Sequence, residues 1–128
     1  MSEATKAVAR RWFDEVINAR RPEVVDEIFT PAYVHHDSRQ GAMRREEVKQ
    51  FAAELLAAYP DRTSTVHDLL ADGNKVVVYW SSTGHRHGTF QGRPATGAEE
   101  TATGIWIVRV EGERLVEGWE IVDLGMHG

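Results

Sequence analysis

Asp123 is the residue whose neighbours point most directly to chemistry. It closes an apolar stretch, Arg114 to Leu124, that reads as the last β-strand. Side chains alternate across a strand, so Leu115, Glu117, Trp119, Ile121 and Asp123 fall on one face. Val116, Gly118, Glu120 and Val122 fall on the other. The first set ends in Trp119 and Ile121, so it is read as the inner face. A carboxylate beside Trp and Ile is poorly solvated, which raises its pKa. Such a group can take and return a proton near neutral pH. Histidines are the natural assistants. His35 and His36 sit in a predicted loop, and His85 and His87 sit two apart on a predicted strand.

Other chemistries have less support. A metal centre needs three or four converging ligands. His36, Asp37, His85 and His87 offer the donor types, but no HExxH-like spacing occurs. Ser81, Ser82 and Thr83 lie mid-strand rather than on a strained turn, and no GxSxG pattern is present. Gly88-Thr89-Phe90-Gln91-Gly92 lacks the strand-to-helix setting and the Lys-Ser/Thr pair of a phosphate loop. Aromatic residues are plentiful enough to wall a pocket for a flat ligand. The candidates are Trp12, Phe13, Tyr33, Phe51, Tyr79, Trp80, Phe90, Trp106 and Trp119, with His35 beside them.

The positioning elements follow from periodicity. Val8, Trp12, Phe13, Val16 and Ile17 form one helical face. Pro22 suits the start of a short second helix through Phe29, which Pro31 stops. Residues 32–43 read as turn and irregular chain. Val48, Phe51, Ala52, Leu55 and Leu56 mark a third helix that Tyr59-Pro60 ends. The second half reads as strands at Thr65–Ala71, Lys75–His87, Ala98–Val110 and Arg114–Leu124. Asp72-Gly73-Asn74 and Glu111-Gly112-Glu113 are turn signals, and residues 88–97 a longer connection. In the long strand Val76, Val78, Trp80 and Ser82 oppose Val77, Tyr79, Ser81, Thr83, His85 and His87. Both faces carry large apolar groups, one to cover the helices and one open to a second subunit. Helices followed by hairpin-connected strands predict an α+β domain over residues 1–128.

Composition bounds the function. The chain has 128 residues and a net charge of −5, which disfavours nucleic acid as a partner. It has no cysteine, which excludes disulfides and thiolate chemistry. No apolar run approaches the roughly 20 residues of a membrane span. Met1-Ser2-Glu3-Ala4 turns helical at once without a signal-peptide core, so the cytoplasm is the expected compartment.

Several segments, in order and spacing, resemble one family. They are Tyr33-Val34-His35-His36-Asp37, the run Thr65 to Val78, Phe90-Gln91-Gly92-Arg93-Pro94-Ala95-Thr96-Gly97 and Gly118-Trp119-Glu120-Ile121-Val122-Asp123. Together they resemble the SnoaL-like polyketide cyclases, also called ester cyclases, of the nuclear transport factor 2-like superfamily. The resemblance runs from about Val8 to Leu124. It implies a cone-shaped α+β barrel, with three N-terminal helices packed in a strongly curved antiparallel sheet around an apolar pocket. It also implies ring closure by intramolecular aldol condensation, with no metal and no cofactor. One aspartate near the end of the last strand serves as general acid/base. Through Trp119-x-x-x-Asp123 that role falls on Asp123, with His36 and His85 as assisting candidates and Tyr33 or His35 as further oxyanion donors. Family members commonly form dimers or tetramers through sheet faces, which implies a homo-oligomer.

Two features depart from the family pattern. Trp106 stands where a smaller or acidic residue is expected, and facing inward it narrows the pocket against a tricyclic substrate. The chain ends Leu124-Gly125-Met126-His127-Gly128, where relatives commonly carry a longer Leu-rich tail. The expected function is acid/base catalysis on an apolar, carbonyl-bearing small molecule. The forms considered are polyketide-type aldol cyclisation and the related isomerisation or hydration. The competing reading is a non-catalytic binding or assembly domain of the same fold.

Overall fold

A computed structural model describes residues 2–39 and 41–124, so the C-terminal tail from Gly125 lies outside the described residues. Helix α1, Ser2–Arg11, passes directly into a wider, π-helical segment, Trp12–Asn18. The apolar offsets 0, 4, 5, 8 and 9 from Val8 suit this wider turn, in which hydrogen bonds span five residues. Phe13, Val16 and Ile17 are buried there. The segment closes on Ala19 N–H donating to the Asp14 carbonyl at 3.0 Å. A 3₁₀ turn, Pro22–Val24, leads into the single-turn helix α2, Val25–Ile28.

The stretch expected to be irregular is instead paired. Strand β1 runs Phe29–Asp37 and β2 runs Gly41–Arg44. Pro31 lies within β1, which a sequence reading treats as a stop. It is tolerated because it sits in the register break between Phe29 and Val34, where no ladder hydrogen bond is demanded of it. Helix α3, Arg45–Ala58, follows, with Arg44 N–H donating to Glu47 Oε1 at 2.9 Å to cap it. Four long strands complete the chain: β3 Thr63–Asp72, β4 Lys75–His85, β5 Glu99–Glu111 and β6 Arg114–Asp123.

The six strands form one curved sheet in the order β2-β1-β6-β5-β4-β3, with the helices on its concave side. The fold is α+β, as expected. The sheet is mixed rather than purely antiparallel, because β1 and β6 run parallel, and it is not closed into a barrel. The inner face of β4 carries Val76, Val78, Trp80 and Ser82, and that of β5 carries Ala102, Trp106, Val108 and Val110, all buried. In these two strands simple alternation groups the residues correctly, and their burial shows which group is the inner one.

It fails in β6. Val110 pairs with Leu115 and Arg109 with Glu117, which leaves Val116 as an extra residue in a β-bulge. One extra residue reverses the alternation beyond it. Leu115 is buried, but past the bulge Gly118, Glu120 and Val122 turn inward, and Trp119, Ile121 and Asp123 are exposed. The expected inward placement of Trp119, Ile121 and Asp123 is therefore corrected.

A glycine opens the interior at one point. Trp80 stands opposite Gly104 on β5, and a Cβ on Gly104 would fall 2.4 Å from the indole. The ring lies flat over this gap and reaches the next strand. Replacing Gly104 with Ala forces the ring away, and overpacking of this kind costs about 1–3 kcal/mol. Urea denaturation of Gly104→Ala is expected to show that loss. A midpoint equal to wild type would refute this role for the glycine.

Candidate active site

Parallel pairing of β1 with β6 assembles the polar centre. The register sets His35 beside Gly118, His36 beside Trp119 and Asp37 beside Glu120. Alternation in β1 turns Tyr33, His35 and Asp37 inward, and each is buried. Glu120 faces inward with them. Gly118 makes room, since a Cβ there would stand 2.4 Å from the Tyr33 hydroxyl and 2.7 Å from Trp106 Nε1.

The Glu120 carboxylate collects hydrogen bonds. Trp80 Nε1 donates to Oε2 at 2.9 Å, and His35 Nε2 lies 3.2 Å from Oε1. The Tyr33 hydroxyl lies 3.0 Å from His35 Nδ1. With Glu120 ionised, one proton placement satisfies the chain. His35 Nε2–H donates to Glu120, and Tyr33 O–H donates to the free Nδ1. Burial pushes the Tyr33 phenol far above its ordinary pKa, so it remains neutral. Asp37 completes the cluster, and its Oδ1 accepts from Arg39 N–H at 2.7 Å. Donor atoms of His35, Asp37 and Glu120 all lie within 4.8 Å of one another. Among the described residues this is the one trio spaced to hold a cation.

These groups open into a cavity of about 370 Å³. Trp12, Phe13, Tyr33 and His35 line it, as do Phe51, Trp80, Phe90 and Trp106. The walls are mutually packed, with Phe13 and Trp106 at 5.9 Å and Phe51 and Phe90 at 5.6 Å between ring centroids. Trp106 faces inward and narrows the space. Two expected wall residues are elsewhere. Tyr79 is on the convex face against His67, and Trp119 stacks there on His36 at 5.6 Å.

The three residues expected to be catalytic also lie outside the cavity. Asp123 is exposed past the bulge and does not line it. His36 points outward, 2.8 Å from Glu117 Oε2, and holds that carboxyl below its ordinary pKa. His85 sits on the outer face of β4, with Nδ1 2.6 Å from Asp61 Oδ2. The Asp61 partner raises the His85 pKa. Strands β6 and β5 separate β1 from β4, about 14 Å at the usual strand spacing, so His36 and His85 share no site. Glu120 is the residue that sequence reasoning missed. Its only signal was the possibility of a bulge near Val116, which alternation alone does not reveal.

Indole and imidazole thus anchor one carboxylate within aromatic walls. The sequence profile of the SnoaL-like polyketide cyclases matches residues 7–126. The chain belongs to the SnoaL-like polyketide cyclase family. Among solved structures, a protein of a Jannaschia species, provisionally described as a SnoaL-like polyketide cyclase, is 24% identical with a TM-score of 0.85. The alignment covers 95% of this chain and 87% of that one. A provisional polyketide cyclase of Acidithiobacillus ferrooxidans is 28% identical, with a TM-score of 0.80 and coverage of 94% and 88%. IdmH of Streptomyces antibioticus, also provisionally a polyketide cyclase, is 25% identical, with a TM-score of 0.79 and coverage of 93% and 91%. No significant match is found among curated proteins. Among the described residues, no helix of this SnoaL-like chain is long and apolar enough to cross a membrane.

The buried phenol gives a pH prediction. An ordinary tyrosine ionises near pH 10, and the unfolded chain releases the Tyr33 proton there while the folded chain retains it. The stabilisation is therefore complete below about pH 10 and is lost as pH rises beyond it. In an absorbance titration, Tyr33→Phe should leave the tyrosinate signal before alkaline unfolding unchanged. It should remove one tyrosine from the signal released on unfolding. Loss of signal before unfolding would contradict the buried, neutral phenol.

Proposed function

We propose that the cavity is the active site of a general acid/base enzyme acting on an apolar, carbonyl-bearing small molecule, with Glu120 as the base. Intramolecular aldol cyclisation of a polyketide-type chain is the favoured reaction. The observation that carries this reading is the Glu120 carboxylate, held by Trp80 Nε1 and His35 inside aromatic walls.

Glu120 removes a proton from a carbon next to a carbonyl. The electron pair of the broken C–H bond passes into an enolate. The enolate carbon attacks a second carbonyl carbon of the same molecule, forming the C–C bond, and that carbonyl oxygen becomes an alkoxide. Protonated Glu120 returns its proton to the alkoxide, which restores the carboxylate. His35 and Tyr33 hold the carboxylate at one angle, so they are positioning residues. The aromatic walls fold the chain so that the two carbons meet. No step requires a group that the chain does not supply.

We also propose a homo-oligomer formed through the convex face, which exposes Trp119, Ile105, Ile107 and Ile121. Light scattering should show an oligomer that Ile107→Glu with Ile121→Glu converts to monomer. A monomeric wild type would reject it.

Deuterium exchange at C1 of 2-tetralone, followed by NMR, tests the chemistry without knowledge of the natural substrate. Wild type should accelerate the exchange. Glu120→Gln, which keeps the shape and removes the base, should lose about 100-fold or more of that acceleration. Asp123→Asn should retain it. Unchanged activity in Glu120→Gln would overturn the assignment. Saturable binding of 2-tetralone without any exchange by wild type would instead support the non-catalytic binding domain.

A further inference from the structure

The cavity has a second polar end, formed around Arg62 on the link between α3 and β3. The backbone of Arg62 packs on Gly84, where an added Cβ would stand 3.0 Å from the Arg62 Cα. Gly84 is four residues beyond Trp80 along β4, or about 13 Å of extended strand. Arg62 and Tyr59 both line the cavity, and the guanidinium carbon lies 5.2 Å over the Tyr59 ring. Ser64 and Ser82 line the space between the two ends, paired through their hydroxyls at 2.5 Å.

Arg62 has five N–H donors and no acceptor for its side chain. Among the described residues it makes no ion pair and no side-chain hydrogen bond. Its Nε is shut off from solvent and unpaired. Burial pulls its pKa below the ordinary arginine value, which is the cost of removing a cation from water. Glu100 is the carboxylate whose charge Arg62 feels, but both Glu100 oxygens are engaged. Oε1 accepts from the Tyr59 hydroxyl at 2.6 Å, and Oε2 pairs with the buried Arg86 at 3.0 Å. A half-buried cation whose Nε is sealed from solvent, on the cavity wall and with no acceptor of its own, is under-satisfied unless something else brings the anion.

We propose that the substrate of this cavity carries a carboxylate, and that Arg62 binds it while the reacting carbon lies at Glu120. This rests on the reading of the cavity as the active site and adds the class of molecule: an aromatic or cyclising keto acid, anionic at one end. The planar guanidinium can grip a carboxylate with two parallel N–H donors. Fixing the acid end orients the apolar body along β4, so Arg62 selects which carbon of the chain meets the base. An ester of the same molecule fills the aromatic space but leaves Arg62 unpaired.

Equilibrium dialysis of naphthalene-2-carboxylate and its methyl ester against the intact protein tests this. Wild type should bind the acid about ten-fold or more tightly than the ester. Arg62→Met and Arg62→Gln should abolish that preference and change ester affinity less than about two-fold. Arg62→Lys, which keeps the charge, should retain part of the preference. Circular dichroism identifies any variant that has not folded, and the remaining variants then decide. Equal binding of acid and ester by wild type overturns the proposal. So does a preference that survives Arg62→Met, or no saturable binding of either compound. Neither probe has a proton for Glu120 to remove, so the outcome is independent of the exchange experiment. Loss of exchange with intact Arg62 selectivity would reject the chemistry and keep the subsite, and the converse result would do the opposite.

Discussion

The Glu120 carboxylate, set within aromatic walls beside buried Asp37, sets the terms for the rest of this structure. A carboxylate there is tolerable only with donors aimed at it. Each donor has a structural cause on a different strand. Trp80 reaches Glu120 from two strands away because Gly104 leaves the intervening position empty. His35 reaches it from the parallel neighbour, held by a Tyr33 hydroxyl for which Gly118 leaves room. The parallel pair requires β1 to enter the sheet between α2 and α3, which is why the chain order departs from helices first and strands after. Two glycines, one bulge and one parallel pairing thus serve the same carboxylate.

The cavity has opposite ends with opposite demands. At the β1–β6 end the chain concentrates acceptors, Asp37 and Glu120, and supplies donors from indole, imidazole and a backbone amide. Near Gly84 the Asp61 and Glu100 carboxylates are taken up by His85, Tyr59 and Arg86, and Arg62 lacks the acceptor that Glu100 gives to Arg86. Between them lie rings and two serines. That polarity along one axis is a stronger constraint on a ligand than volume alone. A molecule that fills the space but is apolar at the Arg62 end leaves that guanidinium without an acceptor.

Much of this was legible in the chain. The faces of β4 and β5 follow from strict alternation, which groups Trp80 with Val76 and Val78 and Trp106 with Val108 and Val110, but alternation alone does not say which face is the inner one. The helical faces were equally clear, and Phe13 and Phe51 followed from them. Three things were hidden. Pro31 reads as a terminator, and only pairing with β6 across a register break shows how a strand accommodates it. The wider turn of Trp12–Asn18 resembles an ordinary helix when only the apolar offsets are counted. Most important, Val116 carries no mark of a bulge, because Val is a normal strand residue. Alternation run through that point reverses every later side chain, so it puts Asp123 inside and Glu120 outside. Arg62 raised no suspicion in sequence either. Its isolation is a property of what surrounds it, not of its neighbours in the chain.

The bulge at Val116 also acts as a one-residue switch on the identity of the last strand. With it, a Gly-x-Glu-x-Val series faces the core; without it, Trp, Ile and Asp would. Descent by insertion or deletion of one residue can therefore exchange the entire functional lining of this strand while the residues themselves stay the same. Two such chains would align well by eye through the shared Trp-Glu-Ile-Val-Asp segment and yet present different acids to their ligands. For proteins built this way, the count of residues between the hairpin turn and the tryptophan carries as much functional information as the residues that follow it.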